Sequence, residues 1–535
     1  LLVKASKKTI SALLLTLTVS ACSATQTEPT NFPLSKKALK ETMKASLEAF
    51  NTPSVSLAIV YKGEVVFSEA EGLRNIQKAQ SANANTYYRL ASVSKAFTAA
   101  AIAVLVEQGK INWSDKVIEH LPEFIMQDPW VTREFTIKDL LSHKSGLVGG
   151  AGDSMIWPEP SGFTRKEVVN NLRYLTPQFS FRDRYAYSNV LYIAAGELVA
   201  RVSGISFDEF VDKYIFEAMD MDCFAGDLPQ AAMSNVAMGY GYSDDKGIYP
   251  IPRNRIHGQA LMSAAAGGMV CNTEEMTKWI LALLNHQDTA SNLPFSQASL
   301  NQMWAPQTIL SVSDIDEEWD GTLFKNYGLG WRLSNLFEHK MISHTGTLSG
   351  YQAYLSIIPD FELGVIVLNN GSNYGVRGAI MQTVIKAVLA EHKGEQYAQD
   401  WVQSYVDYQA DREQAYLARN IVAPSGSGKM TIENTQILGT FEDQWFGAFD
   451  IVEGTGGEVR ISHRRMKTLK GTVTPFENTS FKVEWDNSNA QRDAFLHFEL
   501  DVNKNMLGMS MHPFVSSTRT AHEYRDMYFK MVPSK

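Results

Sequence analysis

Residues 96–106, AFTAAAIAVLV, carry one polar side chain, Thr98, in eleven positions. A helix that is apolar all round has no face to turn to water, so it must sit inside a core with other elements packed around it. Eleven residues are too few to cross a bilayer as a helix, so the burial is against protein. The chain therefore needs a large domain wrapped about this segment. Its 535 residues, 44% hydrophobic and 20% charged, supply one and leave room for a second.

Charge narrows the partners. Lys plus Arg is 49 and Asp plus Glu is 58, a net charge of −9. Without a basic excess there is no surface built to neutralise phosphates, and no nucleic-acid partner is expected. Cysteine occurs three times, at Cys22, Cys223 and Cys271, too few for a disulfide scaffold, and no Cys/His group has zinc-ligand spacing. No metal or organic cofactor is implied.

The N-terminus reads as an address. Lys4, Lys7 and Lys8, with no acid among them, precede the mostly apolar run Ile10–Ala21. That layout predicts a signal peptide over residues 1–21, its apolar region too short for a membrane span. The run ends in Val19-Ser20-Ala21-Cys22, which resembles the lipobox of bacterial lipoproteins. The resemblance implies cleavage before Cys22, a lipid on its sulfur and a membrane partner through that anchor; a plain secretory signal is the alternative. Residues 22–34, polar with two prolines, read as a tether. The expected location is the bacterial cell envelope on its periplasmic side, with the outer membrane favoured, or secretion. Once Cys22 is used, Cys223 and Cys271 either pair in an oxidising compartment or stay as two buried thiols.

Ser54–Val60 and Glu64–Ser68 are β-rich runs around Tyr61-Lys62-Gly63, a hairpin signal. Leu191–Val202 is a second helix candidate, and Tyr354–Pro359 with Leu363–Asn369 is a second strand pair. Strands early, helices between and strands late predict an α/β (α+β) domain over 35–390 whose sheet takes strands from both ends. Residues 391–430 read as a charged helix and a linker that includes APSGSGK. Over 431–535 short runs alternate apolar and polar: Val459 and Ile461; Phe481, Val483 and Trp485; Leu496, Phe498 and Leu500. This period predicts a small antiparallel all-β barrel or sandwich.

Ser92-Val93-Ser94-Lys95 opens the apolar helix. Residues three apart share a helix face, and the helix dipole favours negative charge developing at its N-terminus. A lysine in apolar surroundings gives up its proton more readily and can act as a base. Ser-x-x-Lys alone recurs by chance in a long chain. Two more strings follow: Tyr187-Ser188-Asn189 directly before the second helix candidate, 95 residues on, and His344-Thr345-Gly346, a further 157 on. In this order and spacing the three resemble the serine β-lactamase and penicillin-binding-protein superfamily, class C β-lactamases and the related D-peptidases and esterases in particular. Tyr88–Ala91, the Leu140–Leu147 string LLSHKSGL, Ala265–Met269 and Gly350-Tyr351 resemble the family's flanking segments. The resemblance covers roughly residues 40–385. It implies a β-lactamase/transpeptidase-like fold with an antiparallel sheet and a helical subdomain. The segment from about 431 is similar to the lipocalin-like domain appended to some of these peptidases.

The resemblance also implies roles. Ser92 is the acylated nucleophile. Lys95, Tyr187 or both take its proton, and Tyr187 protonates the leaving group. A phenol near pKa 10 is a poor base at neutral pH unless a cation sits beside it. Asn189 holds the substrate amide and Lys95; His344, Thr345 and Gly346 lie along the substrate on the Lys95 side; the backbone N–H groups of Ser92 and Thr347 form the oxyanion hole. His344 stands where class C β-lactamases carry lysine, and a histidine is largely neutral at neutral pH. That moves the expected partner from a carboxylate-anchored β-lactam toward peptides with D-residues or small esters. A class C-like β-lactamase and a penicillin-binding sensor without turnover are the alternatives.

Other strings are set aside. His143 has no second ligand at helical or hairpin spacing, so a structural hydrogen bond is expected of it. Gly426–Lys429 is no phosphate loop, because Ala423 and Met430 stand where glycine and Ser/Thr are needed. Gly346–Gly350 is no nucleophile elbow, its serine being one position late. Trp304, Trp319 and Trp331 line either a pocket or the core.

Overall fold

The computed structural model describes residues 31–251, 262–286, 291–419, 424–487, 493–514 and 524–533. The expected signal peptide and Cys22 lie outside the described residues. Strand β1 (Ser54–Tyr61) is buried at every position, as its apolar run on both faces requires. Its side chains alternate between two cores. Val55, Leu57, Ile59 and Tyr61 pack with the helices Lys36–Ala49 and Gly375–Lys393. Ala58 and Val60 point the other way, into the core that holds Phe97 and Trp279.

The sheet has nine strands. β1 is flanked by β2 (Glu64–Asn75) and β3 (Gln80–Ser81) on one side. On the other lie strands from the far end of the domain: β13 (Leu363–Asn369), β12 (Tyr351–Ile358), β11 (His339–Leu348), β10 (Arg332–Leu336), β9 (Lys325–Tyr327) and β8 (Thr308–Ile309). Neighbouring strands of this sheet run antiparallel; Leu57 faces Val367 across β1–β13, and Thr345 faces Tyr354 across β11–β12. Two small pairs stand apart: β4 (Tyr88–Arg89) with β7 (Val270–Cys271), and the hairpin β5 (Tyr240–Ser243) with β6 (Gly247–Pro250).

The apolar run forms the helix Ser94–Glu107, with twelve of its fourteen residues buried. It packs against the second predicted helix, Asn189–Ser203, which ends at Gly204 in a left-handed cap. Cys223 and Cys271 form a disulfide, which settles the alternatives left open above. Cys271 lies opposite Tyr88, so the bridge ties residue 223 to β7, the partner of the strand that leads into the Ser92 turn. Trp304 and Trp331 are core residues packed edge to face, and Trp319 packs on Trp401, Tyr405 and Tyr408.

The helix Gly375–Lys393 runs past the boundary drawn at 390, and a second helix, Trp401–Leu417, follows. Beyond it β14 (Gly439–Asp443), β15 (Gly447–Glu453), β16 (Val459–His463), β17 (Lys470–Glu477), β18 (Ser480–Trp485), β19 (Ala494–Leu500), β20 (Met506–Pro513) and β21 (Phe529–Val532) form a closed antiparallel barrel in chain order. The β14–β21 pairing closes it and leaves no free sheet edge. Phe441, Ile461, Phe481, Val483, Leu496, Phe498, Met509 and Phe529 are all buried within it. The barrel docks on residues 162–178 of the hydrolase domain: Arg465 pairs with Glu167 at 2.8 Å, Asn171 Nδ2 donates to the Trp445 carbonyl at 3.0 Å, and the Thr176 amide donates to Asp526 at 3.1 Å.

Candidate active site

Ser92 lies in the single 3₁₀ turn Ala91–Val93 that runs directly into the helix Ser94–Glu107. Ala91 has φ +48°, a left-handed conformation that costs a residue with a Cβ about 1–2 kcal/mol. Ser92 is half-buried, whereas Lys95, one turn on, is wholly buried. Strand β11 presses on this turn. A Cβ at Gly346 would sit 2.3 Å from the Leu90 carbonyl and 3.1 Å from the Ser92 amide nitrogen, so only glycine fits. Gly330, at φ +80°, is equally constrained: a Cβ there would sit 2.6 Å from the Lys95 carbonyl oxygen.

Lys95 Nζ has three partners: the Ala266 carbonyl at 2.5 Å, Asn189 Oδ1 at 2.8 Å and Ser92 Oγ at 3.3 Å. The first two can only accept. A neutral amine gives its two N–H groups to them and turns its lone pair to the Ser92 hydroxyl. Burial holds the Lys95 ammonium well below the usual lysine range, against the pull of Asp153 and with the help of Arg332. The Asn189 amide is fixed in this orientation because its Nδ2 donates to Asp153 Oδ2 at 2.8 Å. One Asn189 N–H thus serves Asp153.

The Tyr187 ring lies under Lys95, 4.8 Å from Nζ to the ring centre. Burial pushes its phenol well above the ordinary range, although Arg332 and Ser92 pull it down. Burial thus favours the neutral phenol over the phenolate at Tyr187.

His344 differs from expectation. It is wholly buried, and both ring nitrogens are taken. Nδ1 must donate to the Thr345 carbonyl, 2.7 Å away, so Nε2 accepts from the Tyr327 hydroxyl at 2.9 Å. Burial, then the charges of Arg332 and Lys95, hold it well below the imidazole range, so it is neutral. Its ring offers no atom to a substrate. The fixed cation comes from the neighbouring strand: Arg332 on β10 donates to Thr345 Oγ1 at 2.6 Å. Pairing of Arg332 with Ser343 places it there. Thr347, two residues beyond, is exposed. Arg377 donates to the Gly346 and Ala353 carbonyls and braces β11.

A family model described as Beta-lactamase matches residues 39–390. The chain belongs to the β-lactamase family. Over 468 residues it is 24% identical to "Unguisins hydrolase ungD" of Aspergillus violaceofuscus (strain CBS 115571), covering 81% of this chain and 80% of that one. It shares 24% identity over 340 residues with "Protein flp" of Staphylococcus aureus (strain NCTC 8325 / PS 47), 63% of each chain. Two solved structures share the fold. The octameric penicillin-binding protein homologue from Pyrococcus abyssi has a TM-score of 0.58 at 20% identity, covering 93% of this chain and 100% of that one. A class C beta lactamase from Rhodobacter sphaeroides has a TM-score of 0.53 at 18% identity, over 66% of this chain and 99% of that one.

This β-lactamase-family hydrolase brings Ser92, Lys95, Tyr187 and Asn189 into one cluster, with Thr345 and Gly346 beside it. Asp153, Ala266, Tyr327 and Arg332 complete it without a sequence signal that singles them out. Ala266 does lie in the flanking string Ala265–Met269, which forms the irregular turn that supplies its carbonyl. Among the described residues no group of three or more His, Cys, Asp or Glu side chains is placed to hold a metal ion.

Proposed function

We propose that this hydrolase cleaves an amide or ester through an acyl-enzyme on Ser92. The supporting observation is the Lys95 environment: two obligate acceptors and the Ser92 hydroxyl around a depressed amine. Ser92 Oγ attacks the carbonyl carbon while its proton passes to Lys95 Nζ. The backbone N–H groups of Ser92 and Thr347 hold the oxyanion, a pair whose single donors are each worth about 3–4 kcal/mol. Tyr187, a neutral phenol, gives its proton to the leaving group and is reprotonated from Lys95. Water then attacks the acyl-enzyme by the reverse relay and frees Ser92.

Arg332 bears on the substrate class. His344 is neutral and Lys95 is depressed, so Arg332 is the fixed positive charge beside Thr345. A guanidinium favours a planar carboxylate. The substrate we propose is a peptide or small ester with a carboxylate near the scissile bond. A β-lactam also carries one, so β-lactamase turnover is the second reading.

The basic-then-apolar N-terminus and its lipobox-like end support export and a lipid on Cys22, and a buried disulfide is in keeping with an oxidising compartment. The closed eight-stranded up-and-down barrel supports the lipocalin-like reading.

The test compares wild type, Ser92→Ala and Arg332→Met on paired esters with and without a carboxylate. Ser92→Ala is expected to abolish both activities. Arg332→Met is expected to raise KM about 10- to 100-fold for the carboxylate ester alone, the worth of a charge-assisted hydrogen bond. Undiminished turnover by Ser92→Ala contradicts the proposal.

A further inference from the structure

We propose that His143 is the positioning residue for Tyr187, an inference that rests on the acyl-enzyme reading above. His143 follows the helix Ile137–Leu141 and is wholly buried. It grips the tyrosine from three sides. Its carbonyl accepts from the Ala186 amide at 2.8 Å, on the residue before. Its Nδ1 accepts from the Ser188 amide at 3.0 Å, on the residue after. Its ring packs on the Tyr187 ring between them, centroids 4.1 Å apart.

Two further observations separate this from ordinary core filling. Because Nδ1 accepts, the imidazole proton is on Nε2, and that N–H is buried with no hydrogen-bond partner among the described residues. An apolar side chain would fill the space without the orphaned donor, so the acceptor toward Ser188 is what the imidazole adds. The residue also sits at φ +58°, uncommon for a residue with a Cβ. Such local cost persists where neighbours fix a geometry that matters.

Tyr187 needs this support. Its hydroxyl faces Ser92 but closes no hydrogen bond of normal geometry among the described residues, so no hydrogen bond at its tip fixes the ring there. The ring is located by the backbone on either side and by the imidazole. Tyr327, at 4.4 Å, Tyr192, at 5.3 Å, and Tyr185, at 5.7 Å, enclose His143 in turn. The same Tyr327 holds His344, so the second and third motifs are joined through these rings.

The experiment is a double-mutant cycle on the full chain, with kcat and KM measured on phenyl acetate. His143→Leu removes the acceptor. His143→Asn keeps an acceptor and tolerates a left-handed backbone but loses the ring. Each is made in wild type and in Tyr187→Phe. His143→Leu is expected to lower kcat about 100-fold with KM within about threefold, the scale of a displaced general acid. His143→Asn is expected to recover about tenfold of that loss. In the Tyr187→Phe background both substitutions cost less than about threefold, because a residue that acts through Tyr187 has nothing left to position. If His143→Leu does not fold, as judged by thermal unfolding, His143→Asn carries the cycle alone. Equal losses in the two backgrounds, or a His143→Leu enzyme within threefold of wild type, overturn the proposal. A wild-type chain that neither hydrolyses the ester nor takes a fluorophosphonate label at Ser92 overturns the acyl-enzyme reading itself.

Discussion

Replacing Gly346 by alanine tests whether strand β11 and the Ser92 turn are held in one geometry by direct contact. The new methyl would lie 2.3 Å from the Leu90 carbonyl oxygen, 2.9 Å from Ala91 Cβ and 3.1 Å from the Ser92 nitrogen. Two of these atoms are backbone, so no side chain can swing aside. Reaching ordinary contact requires about 1 Å of separation between strand and turn, and a misplacement of about 1 Å at a reacting centre costs about 100-fold in rate. The overpacking itself costs about 1–3 kcal/mol of stability. Gly63→Ala is the control. Its φ is +79° and a Cβ meets nothing within 4 Å, so it pays the backbone cost of about 1–2 kcal/mol without touching the site. The assay is the second-order rate of Ser92 phosphonylation by a fluorophosphonate, with thermal unfolding alongside. A Gly346→Ala protein that labels within threefold of wild type would show that the strand does not set the turn.

Further expectations concern acid, base and the cross-link. Lys95 acts as a base only when neutral, so kcat/KM should be present above its depressed pKa and fall as the pH drops through it; a profile still climbing tenfold per unit at pH 10 would mean an ordinary lysine. In the barrel, burial holds His463 down to about 4, with its Nδ1 already accepting from the Arg465 and Met466 amides. The unfolded chain takes up that proton below about 6.5 and the folded site only near 4, so stability is full above 6.5 and declines by about 3 kcal/mol on the way to pH 4. Urea titrations of wild type and His463→Gln between pH 7 and 4.5 should have different slopes, and parallel slopes would refute this. The Cys223–Cys271 bridge spans 48 residues, which corresponds to about 4 kcal/mol of unfolded-chain entropy, read as a lower urea midpoint in the double serine variant.

The framework was legible where the pattern was local. The apolar run could only be a buried helix, the two strand pairs carried β-rich runs around turn residues, and period-two alternation at Val459–Ile461 and Phe481–Trp485 marked the barrel. The Ser92, Tyr187 and His344 strings were readable because each is contiguous. What escaped depends on register and on backbone. Arg332 is one of 49 basic residues until the pairing of β10 with β11 sets it beside Thr345. Ala266 contributes a carbonyl, which carries no side-chain signal. Asp153 acts through Asn189, 36 residues away. His344 looked like a pocket residue because Tyr327, which takes its Nε2, comes 17 positions earlier on another strand. The two cysteines could not be told from buried thiols until the antiparallel bridge between Phe224 and Val270 set residues 223 and 271 side by side.

The account rests on Ser92 being a nucleophile activated by Lys95. Intact-mass spectrometry of the full chain with a fluorophosphonate and with a penicillin, over time, tests it most directly, with Ser92→Ala and Lys95→Met in parallel. The account predicts one adduct per chain in wild type, none in Ser92→Ala, and labelling slowed by about 100-fold or more in Lys95→Met. An adduct that persists in Ser92→Ala, or equal rates with and without the Lys95 amine, would contradict it.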